Sequence, residues 1–304
     1  MELEFLGQQF SDVGIEQRSA IAAILARHPQ PLSDYCFASL LVWAPVYHYH
    51  HAIVEPDTLL VSSALGNERA PGLLQPVGEL PGSTQEALLR RARELAAPLR
   101  IESVSEEFLA RYAAFARHFD VAPVRSAANY VYAAGDLAEL PGRRYAGKRN
   151  LITQASRLNP WTIERLDAAR AGECLEVGVD IAAKRTTEAG VSLDQEAQAL
   201  AGALRSFAPL GLQGLLLRVD GRPAAFSIFD RLSATTAVVL FERALRSMKG
   251  LYQVINQETA KVIAAAGYEL INREEDLGDP GLRRAKLSYH PLRLEMKYTL
   301  TFRG

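Results

Sequence analysis

Apolar and polar positions along the chain alternate between helical and strand-like periods, and the pattern predicts helices separated by hairpins. Leu3 to Leu6 reads as a short strand, followed by a helix ending near Ala26. Phe37, Leu40, Leu41 and Trp43 share one face of a helix within Asp34 to Val46. Tyr47 to Val54 and Thr58 to Ser62 flank Glu55-Pro56-Asp57 as a β-hairpin. Ser83 with Glu86 three residues on forms a capping box ahead of the stripe Ala87, Leu88, Leu89, Ala92 and Leu95. Ser105 opens another helix, with Phe108, Leu109, Tyr112, Phe115 and Phe119 at helical spacing. Asn129 to Ala133 is a short β-type run, and Asp136 with Glu139 repeats the capping pattern.

Around Asn159-Pro160-Trp161 the pattern restarts. Trp161 to Leu166 reads as a strand and Ile181 to Ala189 as a helix. Ser192 with Gln195 caps a further helix carrying Leu193, Ala197, Leu200, Leu204 and Phe207. Leu215 to Val219 and Ala224 to Phe229 flank Asp220-Gly221, a strong hairpin signal, and Thr235 to Phe241 continues the antiparallel sheet. Tyr252 to Ala266 is a helix closed by Gly267 at C′, Tyr268 to Ile271 a strand and Leu294 to Phe302 a last one. Hairpins followed by strand–helix–strand place the chain in the α/β (α+β) class, with mixed, mostly antiparallel sheets flanked by helices. At 304 residues two domains are expected, and the restart divides them as 1–158 and 159–304.

Composition adds exclusions. The net charge is −1, so no global field draws the chain to nucleic acid or to a membrane, and anion recognition must come from local clusters. Cys36 and Cys174 stand far apart with no CxxC spacing, as reduced, buried thiols do. The start MELEFLGQQF carries no signal-peptide pattern, and FASLLVWAPVY is too short to span a bilayer, so a cytoplasmic protein is expected. His48 and His50 share a strand face, but no Cys or carboxylate completes a metal set. No nucleophile elbow, zincin motif, Walker loop or dinucleotide fingerprint is present, and no permanently bound cofactor or metal is expected.

Three stretches concentrate polar chemistry. Gly142 to Asn150 holds Arg143, Arg144, Lys148 and Arg149 at the start of a helix running to about Leu158. Helix amides and Arg forks there suit phosphate, with Asn150 on the same turn. Phe241 to Asn256 places Glu242 and Arg243 at a strand end, then Gly250 and Tyr252 leading into a helix that carries Asn256. Leu270 to Pro291 gathers Asn272, Arg273, Glu274, Glu275 and Asp276, a Gly278-to-Gly281 turn, then Arg283, Arg284, Lys286, Ser288, Tyr289 and His290. Asp276 or Glu274 could deprotonate an amine, while Arg283, Arg284 or Lys286 could neutralise a phosphate or an oxyanion.

Together, YVYAAGDLAELPGRRYAGKRN, FERALRSMKGLYQVINQE and YELINREEDLGDPGLRRAKLSYHPLRLEMKYTL resemble soluble bacterial proteins related to the C-terminal domain of phosphatidylglycerol lysyltransferases. The resemblance implies two tandem GNAT-like domains, as in the Fem-type peptidoglycan aminoacyltransferases. It also implies acyl transfer from an aminoacyl-tRNA to a hydroxyl or amine, on a small molecule or a lipid headgroup. On that basis Glu242 and Asp276 handle protons or bind an amino group, and Tyr252, Asn256 and Asn272 orient substrate, with Glu274, Arg273 and Tyr289 beside them. Arg283 and Lys286 stabilise charge, and Arg143, Arg144, Lys148, Arg149 and Asn150 hold phosphate or the tRNA end. Two alternatives stay open. One is a GNAT N-acyltransferase using an acyl-CoA, although Tyr252 stands where that pyrophosphate loop needs a second small residue. The other is a non-catalytic GNAT-fold module that binds a phosphorylated small molecule.

Overall fold

The computed structural model describes residues 3–66, 70–179 and 193–304. They form two compact units, Met1–Ala128 with Glu295–Gly304, and Asn129–Leu294. The first contains β1 (Leu3–Phe5), β2 (Gln8–Asp12), α1 (Arg18–Arg27), α2 (Phe37–Tyr47), β3 (His50–Val54), β4 (Thr58–Ser63), β5 (Gly72–Leu74) and β6 (Val77–Gly78). It continues with α3 (Gly82–Ala92), β7 (Arg100–Val104), α4 (Glu106–Arg111), α5 (Ala113–Ala116) and β8 (Phe119–Pro123). The second contains β9 (Asn129–Ala133), α6 (Ala134–Glu139), α7 (Ala146–Leu158), β10 (Trp161–Arg165), α8 (Cys174–Val179), α9 (Leu193–Arg205) and α10 (Phe207–Leu210). It ends with β11 (Gln213–Val219), β12 (Arg222–Arg231), β13 (Thr236–Ala244), α11 (Leu251–Ala265), β14 (Leu270–Asn272), α12 (Pro280–Leu287) and β15 (Arg293–Glu295); β16 (Tyr298–Phe302) belongs to the first unit.

The first sheet runs β1-β2-β3-β4-β5-β7-β16-β8, with β6 also on β4, and is antiparallel apart from the parallel pair β5 and β7. Its core includes Phe10, Leu60, Leu73, Ile101, Phe115 and Leu300. The second sheet runs β10-β11-β12-β13-β14-β9-β15, with β13 and β14 parallel and β10 to β13 and β14 with β9 antiparallel. Both are mixed, mostly antiparallel sheets flanked by helices, as the periodicity predicts.

In the second unit α11 lies along the sheet and buries two separate apolar groups. At its start Leu251, Val254 and Ile255 pack with Leu217, Ala225 and Ala244. Near its end Ala260 and Ile263 pack with Phe229, Val239 and Ile271. Between them the same helix face carries Asn256 and Thr259, both buried. Gly250 starts the helix at φ +91, and the space a side chain would need is already filled by the Leu151 carbonyl and Ala155 of α7. The glycine therefore allows close helix–helix approach.

Several local expectations match. The hairpin at Asp220-Gly221 has both residues at positive φ, the geometry of a type I′ turn, and Gly267 follows α11 at φ +92. Ser105 caps α4 by accepting from the Phe108 amide. Others are corrected. α3 starts at Gly82 with Pro81 at its N-cap, so Ser83 lies inside the helix, and Asp136 likewise lies inside α6. Gly278 to Gly281 is no simple turn. Asp279 is an N-cap that accepts from the Gly281 and Leu282 amides, Pro280 takes N1, and α12 follows. Leu294 to Phe302 is not one strand: β15 joins the second sheet and β16 the first, and between them Lys297 is buried on Asp34 at 2.5 Å. The units divide at Ala128/Asn129 and not at Leu158, because β9 pairs with β14 and α6 packs on α11. The helix expected at Ile181 to Ala189 and the Ser192 cap lie outside the described residues.

Gly250→Ala should destabilise the second unit by about 2–4 kcal/mol, from positive-φ strain and overpacking combined. Gly147→Ala, in the same α7 where nothing lies within 4 Å, should be neutral or stabilising by up to about 1 kcal/mol. Urea midpoints of the two variants measure the difference.

Candidate active site

The polar side chains of the second unit converge where β14 ends. β9 alternates, so Tyr130 and Tyr132 share a face, and both are buried. Arg273, the residue after β14, is anchored by its amide to the Tyr130 carbonyl at 2.9 Å. Its Nη2 donates to Glu242 Oε1 of β13 at 2.7 Å, with the two side chains only 14% and 9% exposed. The guanidinium carbon lies 5.7 Å from the Tyr132 ring centre and 5.2 Å from that of Tyr289. The second Glu242 oxygen accepts from Asn256 Nδ2 of α11 at 3.3 Å.

Two lysines flank this pair. Lys148 of α7 places Nζ 4.0 Å over the Tyr289 ring and donates to Ser288 Oγ at 2.6 Å. Lys286 of α12 is buried, donates to the Arg273 carbonyl and sits 5.6 Å from the Tyr130 ring centre. Tyr132 OH donates to the Lys286 carbonyl at 2.8 Å and Tyr145 OH to the Tyr289 carbonyl at 2.9 Å, which fixes the aromatic walls.

Burial sets the electrostatics. It lowers the Lys148 ammonium below its usual range, and the nearby Arg273 charge lowers it further. The same two causes, burial first, bring Lys286 down to about 8. Burial works against the Arg273 charge too, but Glu242 together with the Tyr132 and Tyr289 phenols outweighs it and holds the guanidinium protonated. Burial raises both the Tyr132 and Tyr289 phenols, which stay neutral. The site thus combines one locked ion pair with two lysines whose charge is easily lost, among neutral phenols.

Asp276 stands apart from that reactive set. It is wholly buried, and burial alone would raise its pKa. Hydrogen bonds from Arg283 at 2.8 and 2.9 Å, Tyr130 OH at 2.6 Å and the Gly278 amide at 2.9 Å instead hold it well below the usual carboxylate range. A carboxylate so committed is a poor proton acceptor; it ties α12 to β9. Asn272 donates to Asn129 at 3.0 Å and accepts from the Glu274 amide at 2.9 Å, holding Glu274 at φ +54. Tyr252 is half-buried beside Arg243, which pairs with Glu196 of α9.

The basic stretch does not act as one cluster. Arg144 pairs with Asp136 at 2.5 Å. Arg149 donates to the carbonyls of Leu140 and, at 2.7 Å, Gly142, closing the end of α6. Arg143 and Asn150 are exposed, and Lys148 alone turns inward to the site. Residues the sequence reading passed over are Tyr130, Tyr132 and Tyr145. The alternation Asn129-Tyr130-Val131-Tyr132 already places two phenols on one strand face, a signal of a polar-edged aromatic wall.

Open clefts of the first unit lie beside Arg27, His28 and Asp57, at about 550 Å³, and beside His48, Tyr49 and His50, at about 340 Å³. Neither contains a predicted site residue. His50 pairs with Asp12 at 3.0 Å, and among the described residues no three His, Cys, Asp or Glu side chains gather as a metal set. No described helix is long and apolar enough to cross a membrane.

Two mixed sheets in this order are the fold of FemX, which superposes with a TM-score of 0.62 at 10% identity, over 99% of this chain and 97% of its own. The L-PGS structure from Bacillus licheniformis gives 0.70 at 15% identity, covering 97% and 93%. A conserved protein of unknown function from Bacteroides thetaiotaomicron gives 0.87 at 29% identity, covering 97% and 99%. A sequence search among curated proteins finds no match. The family described as phosphatidylglycerol lysyltransferase, C-terminal, matches residues 25–301, and the chain belongs to it.

Asp276→Asn should cost about 2–3 kcal/mol at pH 7, less than a fully buried pair because Arg283 is partly exposed. The folded-state pKa of Asp276 is depressed, so its contribution is present above the unfolded value near 4 and lost as pH falls below it. Urea titrations of wild type and variant should therefore differ at pH 7 and converge on acidification.

Proposed function

We propose that the second unit transfers an aminoacyl group from an aminoacyl-tRNA to a hydroxyl or amine of a small molecule or lipid headgroup. The observation that carries this reading is the Glu242–Arg273 pair held between Tyr132 and Tyr289, with Lys148 and Lys286 beside it. An aminoacyl ester is already activated, so the reaction needs no protein nucleophile. It needs positioning, charge stabilisation and proton transfer.

In the step proposed, the acceptor oxygen or nitrogen bonds to the ester carbonyl carbon. The carbon–oxygen bond to the ribose breaks, and the acceptor's proton ends on the released ribose hydroxyl. Arg273 and Lys148 stabilise the tetrahedral oxyanion. Glu242 holds Arg273 and faces the donor's amino group with Asn256. Lys286, lowered to about 8, gives a proton to the leaving oxygen from its ammonium form and takes up the acceptor's proton in turn, so that one proton passes in all. Asp276 positions Arg283 and Tyr130, Asn272 and Glu274 shape the turn that presents Arg273, and Tyr252 borders the helix start. Arg143, Arg144, Arg149 and Asn150 give a basic exposed face to the tRNA end.

Gly250 favours aminoacyl-tRNA over acyl-CoA as donor. The space beside the Gly250 backbone is filled by the Leu151 carbonyl and Ala155, and that carbonyl would repel a CoA pyrophosphate approaching from that side. A family named for lysyl transfer to phosphatidylglycerol supports an aminoacyl group as the one transferred.

Filter retention of total charged against deacylated tRNA, at low and moderate salt, tests the reading. Selective retention of one charged species is expected, and no preference for charged tRNA would refute it. Lys148→Ala should weaken that retention by about tenfold, the scale of one charge-assisted contact. If Lys286 acts as an ammonium, transfer should fall as pH rises through about 8, where its proton leaves. Lys286→Arg, which stays charged, should remove that fall while lowering the rate. Single-turnover rates from pH 6.5 to 9.5 measure both.

A further inference from the structure

Ser288 closes α12 at its C-cap and has no part in the transfer step, yet its hydroxyl meets Lys148 Nζ of α7 at 2.6 Å. The two residues stand 140 positions apart, so the fold makes this contact and no local turn does. Ser288 is exposed and Lys148 half-buried, which leaves the hydroxyl open to a substrate and shields the amine from water. The Tyr289 ring lies 4.0 Å from the amine and holds it in place. Tyr289 is itself fixed by Tyr145 OH, which donates to its carbonyl at 2.9 Å. A hydroxyl within hydrogen-bond reach of a nitrogen base that a third group orients is the arrangement of an activated nucleophile, and serine with lysine is one of its forms.

The hydrogen bonds define a resting and an active state. Ser288 Oγ donates to the Ala285 carbonyl at 2.6 Å and accepts from Lys148, so the amine rests as an ammonium. Burial, and then the Arg273 charge, weaken its hold on that proton. Once neutral, Nζ offers a lone pair to the same hydroxyl. Arg273 packs 5.2 Å from the centre of the same Tyr289 ring and supplies positive charge for a developing oxyanion. We propose that Ser288 and Lys148 are a nucleophile–base pair that hydrolyses activated carboxylic esters through an acyl-serine. Lys148 takes the Ser288 proton, Oγ bonds to the ester carbonyl carbon, and the bond from that carbon to the leaving alcohol breaks as Lys148 passes the proton to the alcohol oxygen. Water then gives a proton to Lys148 and its oxygen bonds to the acyl carbon. The bond to Oγ breaks, the proton returns to Ser288, and the products are a carboxylic acid and an alcohol. Transfer uses the ammonium form of Lys148 and hydrolysis the neutral form, so the unit discards an ester for which no acceptor has arrived. That the natural ester is an aminoacyl one rests on the transfer reading; the pair itself does not.

The test uses the whole protein with p-nitrophenyl butyrate as probe, reading nitrophenol release and locating the butyryl group by peptide mass mapping after rapid quenching. Wild type should carry it on Ser288, as an ester that neutral hydroxylamine releases. Ser288→Ala should lose at least about a hundredfold in turnover, the low end of what a positioned base supplies. Lys148→Arg keeps a cation and a donor to Ser288 but gives up no proton, and should lose as much. Wild-type turnover should rise with pH and level off below about 10.4, the ordinary lysine value, because burial has lowered Lys148. A variant that fails to fold leaves the wild-type adduct and pH profile to decide.

A butyryl group found only as an amide on Lys148, or found nowhere, overturns the pair, and so does either variant turning over ester as wild type does. Filter retention of charged tRNA by the same preparation separates the two readings. Acyl-Ser288 without retention leaves the pair and removes its aminoacyl substrate. Selective retention without acyl-Ser288 leaves the transferase and removes the pair.

Discussion

The Glu242–Arg273 ion pair is the constraint around which the second unit is arranged. Taking both charges out of water is unfavourable unless the geometry is good and the remaining polar atoms are engaged. Here the carboxylate uses both oxygens, one on Arg273 and one on Asn256, and two tyrosine rings cover the guanidinium. The backbone is recruited as well, with the Arg273 amide on Tyr130 and its carbonyl on the Lys286 ammonium. One pair thereby ties β13, β14, β9, α11 and α12 together. The parallel pairing of β13 and β14 stops at Val238 and Asn272, and Glu242 lies beyond it, where the strands no longer share hydrogen bonds. The ion pair occupies that opening.

Such an arrangement explains how an almost neutral chain can present a positive site. Most cations near it are already engaged: Arg144 with Asp136, Arg243 with Glu196, Arg283 with Asp276 and Arg149 with backbone carbonyls. What distinguishes Lys148 and Lys286 is burial beside another cation, which lowers their hold on a proton. The chemistry therefore depends on where a few charges are desolvated and hardly at all on their number.

Much of the fold was legible because its signals are local. The hairpin at Asp220-Gly221, the Ser105 cap and the Gly267 stop each depend on residues within a few positions. Glu242, Asn256, Arg273, Lys148, Lys286 and Tyr289 could be picked out as polar groups poorly suited to a core, and the fold brings them together. Their division of labour could not be read. Asp276 looks like a base in sequence, and only the four hydrogen bonds it accepts show it to be a clamp. Asp279-Pro280 reads equally well as a turn or as an N-cap with Pro at N1, and the helix content of the next eight residues decides it. The boundary near Leu158 followed a change in pattern, whereas the true division depends on β9 pairing with β14, more than 130 residues away, and no periodicity records that.

The split between β15 and β16 has a consequence for how the chain is made. Residues 129–294 are an insertion within the first unit, and β16 sits between β7 and β8, inside the sheet and not at its rim. During vectorial synthesis the inserted unit has all of its strands first. The earlier-made unit is left with β7 and β8 unpaired on facing edges until residues 298–302 leave the ribosome, and exposed edges of this kind invite pairing with other chains. The first part of the chain to be synthesised is thus the last to close.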